Sequence, residues 1–185
     1  MIGDMRNYAL RGRAAHSAAE VLFRMLARAE LAAPTAVHSA FIAPGKPYDV
    51  FVALKRVFGN AKSDVLVIDP YLDEKVLEFA TTIPESVTIR LLADEKKRKP
   101  SLVPAVVRWK QEHGAVRPVE VRLASEGVLH DRLIVLDRNK LFELSQSLNA
   151  FATRSPASIH ETDKELAPLK VAAYQNIWSA AVPIP

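Results

Sequence analysis

The chain has 185 residues, of which 49% are apolar and 25% charged, a balance that supports one buried core and excludes a largely disordered chain. A net charge of +4 favours polyanionic partners but falls short of the excess expected of a dedicated nucleic-acid binder. The absence of cysteine excludes disulfide staples, thiolate zinc sites and cysteine nucleophiles, and apolar runs broken by charge predict neither a membrane-spanning helix nor a secretory signal, so the expected location is cytoplasmic.

Residues 5–33 are rich in Ala, Arg, Glu and Leu, with Val21, Leu22, Met25, Leu26 and Ala29 at helical spacing. They predict a long amphipathic helix that Pro34 ends. This N-terminal helical extension, residues 1–40, is expected to add a layer or to dock another subunit, ahead of a main domain over 41–185. A second helix is predicted in YDVFVALKRVFG, where Val50, Phe51, Leu54, Val57 and Phe58 form a stripe and Gly59 closes it.

The pattern then changes. VLVIDPY, residues 65–71, is a near-continuous apolar run that predicts a buried strand ending in an Asp-Pro turn. EKVLEFATT has helical spacing, SVTIRLLA at 86–93 predicts the next strand, and DEKKRKPS at 94–101 a charged loop. LVPAVVRWKQEHG reads as a helix ended by Gly114, and VEVRLA, LHDRLIVLD and LFELS as three more strands. A last helix, KELAPLKVAAYQNIWSA, is expected to turn Leu166, Leu169, Val171, Tyr174 and Trp178 to the core, with Pro168 tolerated near its start. Strand and helix alternate, which argues for a layered α/β sandwich rather than a bundle or an all-β barrel.

The chemistry concentrates in LHDRLIVLDRNKLFELSQSLN. His130 and Arg132 lie two apart on a predicted strand, so the period of two puts both on one face. An imidazole able to attack or protonate, beside a cation able to grip two non-bridging oxygens, is what phosphodiester chemistry needs.

Here the sequence resembles the phospholipase D superfamily, whose signature is His-x-Lys, four residues, Asp, then about six residues and Gly-Ser-x-Asn. The matching residues are His130-Asp131-Arg132, LIVL, Asp137, and after a turn and strand Gln146-Ser147-Leu148-Asn149. DVLVIDPYLDEKVLEF resembles the first strand, turn and helix of small bacterial members, so the likeness covers roughly residues 45–180. Arg132 stands where the family has lysine and Gln146 where it usually has glycine.

The resemblance implies a central mixed sheet flanked by helices. It also implies a mechanism in which His130 attacks phosphorus, Arg132 and Asn149 hold phosphate oxygens, Ser147 donates to the phosphate or a water, and Asp137 positions its neighbours. Glu161 would fix the tautomer of the imidazole. One motif supplies one histidine where two are needed, so the expectation is a homodimer, a subunit of a larger complex or an inactive site. No cofactor or metal is implied, and the histidine spacing suggests no zinc site.

Lys96, Lys97, Arg98 and Lys99 form a candidate rim for a nucleic-acid backbone, against the reading of a solvated loop. His160 is adjacent to Glu161 and is expected to point away, and His16, His38 and His113 receive no role. Ser147 lacks a nucleophile elbow, and no glycine-rich phosphate loop is present. Two functions remain: a metal-independent phosphodiesterase, more in keeping with DNA or RNA than with lipid, with bacterial defence as a setting suggested by family habit, or a catalytically degenerate phosphate-binding or scaffold module.

Overall fold

The computed structural model describes residues 39–184. The helix expected over 5–33 lies outside them, as does all but the end of the extension expected over 1–40.

The strands are β1 (Ser39–Ile42), β2 (Asp64–Ile68), β3 (Thr88–Asp94), β4 (Val119–Ala124), β5 (Leu133–Leu136), β6 (Lys140–Leu144), β7 (Ala157–Glu161) and β8 (Val182–Pro183). They form one sheet in the order β1-β7-β6-β5-β2-β3-β4-β8. β2, β3 and β4 run parallel, and every other pairing is antiparallel, so the sheet is mixed. The helices are α1 (Pro47–Phe58), α2 (Lys75–Ala80), α3 (Leu102–His113) and α4 (Leu166–Ala180), with a short 3-10 turn at Leu148–Ala150.

All five residues of β2 are buried, as expected of a central strand covered on both faces. Period-two alternation divides its apolar side chains: Val65 and Val67 join the core under α1, α2 and α3, while Leu66 and Ile68 join the core under α4. The result is a layered α/β sandwich, with three helices on one face and one on the other.

Polar pins hold α4 to its face. Arg90 of β3 makes a bidentate pair with Asp64 of β2, both bonds 2.7 Å, and donates to Gln175 of α4 at 3.1 Å. Its guanidinium lies 5.0 Å from the ring centroid of Trp178, and that of Arg122 lies 4.8 Å from the same ring. Burial of both charges is compensated by the forked geometry.

Several sequence expectations need correction. Leu166 and Leu169 are 41% and 69% exposed; α4 packs through Ala167, Val171, Tyr174 and Trp178, a stripe set by the small Ala167 rather than by the larger leucines. Phe51 sits at the margin of its helix face at 37% exposure. The motif strand LHDRLIVLD is regular only over Leu133–Leu136. β1, β7 and β8 go beyond the sequence reading: β1 and β8 are short edge strands, and β7 carries Ile159 as its one large apolar residue, too little to show an alternation.

Candidate functional site

The parallel strands β2, β3 and β4 end together at Ile68, Asp94 and Ala124, and the carboxyl edge of such strands is where α/β sheets gather ligand-binding loops. β5 enters at this edge because it runs antiparallel to β2, with Leu133 opposite Ile68. β6 leaves there, with Glu143 opposite Leu133. Thus His130–Arg132, the turn after β2, the loop after β3 and the Gln146–Asn149 segment all meet at one end of the sheet.

Asp69 organises this end. Its carboxyl group is fully buried. Oδ1 accepts the Tyr71 amide at 2.9 Å, closing the Asp-Pro-Tyr turn, and Oδ2 accepts both the Ser147 hydroxyl at 2.7 Å and the Leu148 amide at 2.8 Å. Burial raises its pKa above 3.8; the bonds from Tyr71, Ser147 and Leu148 and the charge of Arg132 oppose that rise without cancelling it.

The Asn149 side chain donates to the Tyr71 carbonyl at 3.1 Å, and Lys75 Nζ donates to the Asn149 carbonyl at 2.9 Å. Gln146 ties down its own loop: Nε2 donates to Ser155 Oγ and to the Pro156 carbonyl, both at 2.8 Å, and Oε1 accepts the Ala152 amide at 3.1 Å. The loop 146–156 is therefore closed by a side chain rather than by a permissive backbone.

His130 and Arg132 precede the regular part of β5, yet the alternation persists. Leu129 and Leu133 are buried in the α4-side core, and Asp131 between them lies 3.4 Å from Lys170 of α4. Lys170 also donates to Glu143 at 2.9 Å, and Glu143 accepts the Thr162 hydroxyl at 3.0 Å. Burial, then the neighbouring Asp131, pushes the Tyr174 hydroxyl up to about 12. The motif is thus clamped from behind through Asp131, which leaves His130 and Arg132 on the opposite side.

His130 is exposed. The Arg132 guanidinium lies 5.7 Å from the ring centroid of Tyr71, and its buried Nε has no acceptor among the described residues. That combination is a cation with a ring to rest on and spare donors.

Asp137 is placed elsewhere. Asp137 lies beyond the far end of β5, four strand residues and roughly 13 Å from the motif edge. There it accepts the amides of Lys62, Ser63 and Asp64 and the Ser63 hydroxyl, at 2.7 to 3.1 Å, and so caps the entrance to β2. Glu161 lies on β7 level with Phe142 and Ile134, two strands from β5, with Oε1 3.5 Å from Lys140 Nζ. Of the basic run, Lys96 pairs with Glu126 at 2.6 Å. The site therefore gathers His130, Arg132, Ser147 and Asn149, and adds Asp69 and Asp131, which the motif reading passed over.

Asp137 carries a pH prediction. Burial pushes its pKa up, but the amides of Ser63, Asp64 and Lys62 and the Ser63 hydroxyl together hold it below 3.8. The stability it supplies is complete above the unfolded value and is lost as pH falls through the lower folded one. Asp137→Asn is expected to flatten the acid limb of urea midpoints measured across pH; an unchanged limb would refute the cap.

Among the described residues, no group of three or more His, Asp or Glu is arranged to hold a metal ion, and no helix is long and apolar enough to cross a membrane. The sequence matches no protein-family model and no curated protein. The fold, by contrast, is shared with solved structures. The phospholipase D family member Nuc from Salmonella typhimurium aligns at a TM-score of 0.56 and 13% identity, over 79% of this chain and 98% of Nuc. NucT from Helicobacter pylori aligns at 0.54 and 11%, over the same shares. TrmBL2, an archaeal chromatin protein with a novel mode of DNA binding, aligns at 0.51 and 12%, over 99% of this chain and 68% of TrmBL2. The chain has the phospholipase D fold.

Proposed function

We propose that the chain is a metal-independent phosphodiesterase, acting on nucleic acid in the cytoplasm, with His130, Arg132, Ser147 and Asn149 as its reacting and binding groups. One observation carries this reading: at the carboxyl edge of the sheet, a solvent-facing imidazole stands two residues from a guanidinium whose buried Nε lacks an acceptor among the described residues. The basic net charge and the fold likeness to a DNA-binding protein support the substrate class.

In this chemistry a His130 ring nitrogen forms a bond to phosphorus as the bond to the leaving oxygen breaks, and water then hydrolyses the phosphohistidine. Arg132 stabilises charge on the non-bridging oxygens, in bidentate fashion. Ser147 and Asn149 join by exchanging their bonds to Asp69 and the Tyr71 carbonyl for bonds to phosphate. A second copy supplies the histidine that protonates the leaving oxygen, so the working form is a homodimer.

A second reading, phosphate binding without turnover, is favoured by the same Ser147 and Asn149 bonds, which commit both donors inside the protein beside a buried carboxyl group. Incubation with single- and double-stranded DNA, RNA and a chromogenic phosphodiester in EDTA separates the two. The first reading expects cleavage, from a protein of dimeric solution mass. Binding that weakens in Arg132→Ala, with no cleavage of any substrate, would replace it by the second; neither binding nor cleavage would end both.

A further inference from the structure

Two arginines share an uncommon feature: Arg132 and Arg98 each bury an Nε that has no acceptor among the described residues. A buried donor left unmade is rare in folded proteins, so two at one sheet edge point to acceptors outside the described residues.

The backbone places them near each other. Arg98 sits in the loop after β3, its amide donating to the Asp94 carbonyl at 3.2 Å, and the next amide, Lys99, donates to the Leu72 carbonyl at 2.9 Å. Leu72 follows Tyr71, the ring beside the Arg132 guanidinium. The two arginines therefore flank the turn after β2, from the β3 side and the β5 side. Two strand spacings separate β5 from β3, the strands that lead to these positions, by roughly 10 Å.

The rest of the basic run is not equivalent, since Lys96 is already paired with Glu126. An ammonium in solvent also lacks the fixed fork of a partly buried guanidinium.

We infer that Arg98 is a second phosphate anchor, and that the ligand is a nucleic-acid strand whose backbone spans from Arg132 to Arg98. A molecule with one phosphodiester, a phospholipid included, fills one anchor only. A strand repeats its charge about every 3.4 Å, so phosphates within about three nucleotides of each other suffice for both. The inference rests on the reading of His130 and Arg132 as a phosphodiester site and adds direction to it: the strand runs over the turn after β2 towards the loop after β3.

The test compares two probes, a short oligothymidylate and dimethyl phosphate, each titrated over a range of salt. Arg98→Ala is expected to weaken oligothymidylate binding about tenfold and to lower its log–log salt slope by about 0.7, with dimethyl phosphate binding unchanged. Arg132→Ala weakens both probes. Arg98→Lys retains the salt slope, because it keeps the charge, and loses affinity, because it loses the fork. Melting temperatures equal to that of the unaltered protein establish that the variants are folded, and Arg98→Gln replaces Arg98→Ala if the latter is not. Oligothymidylate binding unchanged by loss of Arg98, or both probes weakened equally, overturns the second anchor and leaves the proposed site standing. Failure of the unaltered protein to bind either probe overturns the site and the anchor together.

Discussion

His130→Ala is expected to lower EDTA-resistant cleavage by at least about a thousandfold, the order of loss seen when a group central to proton or phosphoryl transfer is removed. The side chain is exposed and forms no part of either core cluster, so its loss should shift stability by no more than about 0.5 kcal/mol. A fall in rate without a fall in stability therefore isolates chemistry from folding. Single-turnover cleavage and urea denaturation of the same preparations measure the two. Cleavage retained in the variant would remove His130 as nucleophile, whatever else binds at this edge.

Asp69→Ala carries the largest expected effect on stability, a loss of about 3 kcal/mol. The reason is local accounting of donors: one buried carboxyl group accepts from Tyr71, Ser147 and Leu148, and alanine takes away the acceptor of all three, of which the Leu148 amide is buried. The raised pKa shows that burial opposes the charged form, which is why the loss is set below a simple sum of three charged bonds. Asp69→Asn should fall between, because its amide oxygen satisfies one side while its NH2 meets donors on the other. Urea denaturation checks both variants. A loss below about 1 kcal/mol in Asp69→Ala would mean that the turn after β2 and the Ser147 segment do not depend on this carboxyl group.

These two residues also mark what the sequence discloses and what it withholds. His130 and Arg132 are legible because period-two spacing puts them on one side, and the structure keeps that alternation through Leu129, Asp131 and Leu133 even where the strand is irregular. β2, β3 and β4 are legible because apolar runs and Gly or Pro punctuation bracket them. Asp69 is visible locally, as an Asp-Pro-Tyr turn, but its bonds to Ser147 and Leu148 cross nearly eighty residues, and no local pattern carries such a partner.

Asp137 shows the opposite failure. Its distance along the chain from His130 matches the motif, yet an extended strand between them carries it to the far end of the sheet, where it caps β2. A motif gives spacing in sequence; the direction of the strand decides which residues end up together. Asp131 was passed over for a related reason. The same period of two that brings His130 and Arg132 together turns the residue between them to α4, where Lys170 and Glu143 hold it. The short edge strands β1 and β8 offered too little apolar signal to be read.

The most direct measurement follows the His130 ring by NMR while dimethyl phosphate is titrated in, for the unaltered protein and for Arg132→Ala. A single phosphodiester site at this edge predicts that the His130 ring resonances shift saturably, that the His113 and His160 rings hold, and that the shift collapses without Arg132. A His130 ring that never moves, or one that moves equally with and without the guanidinium, would contradict it.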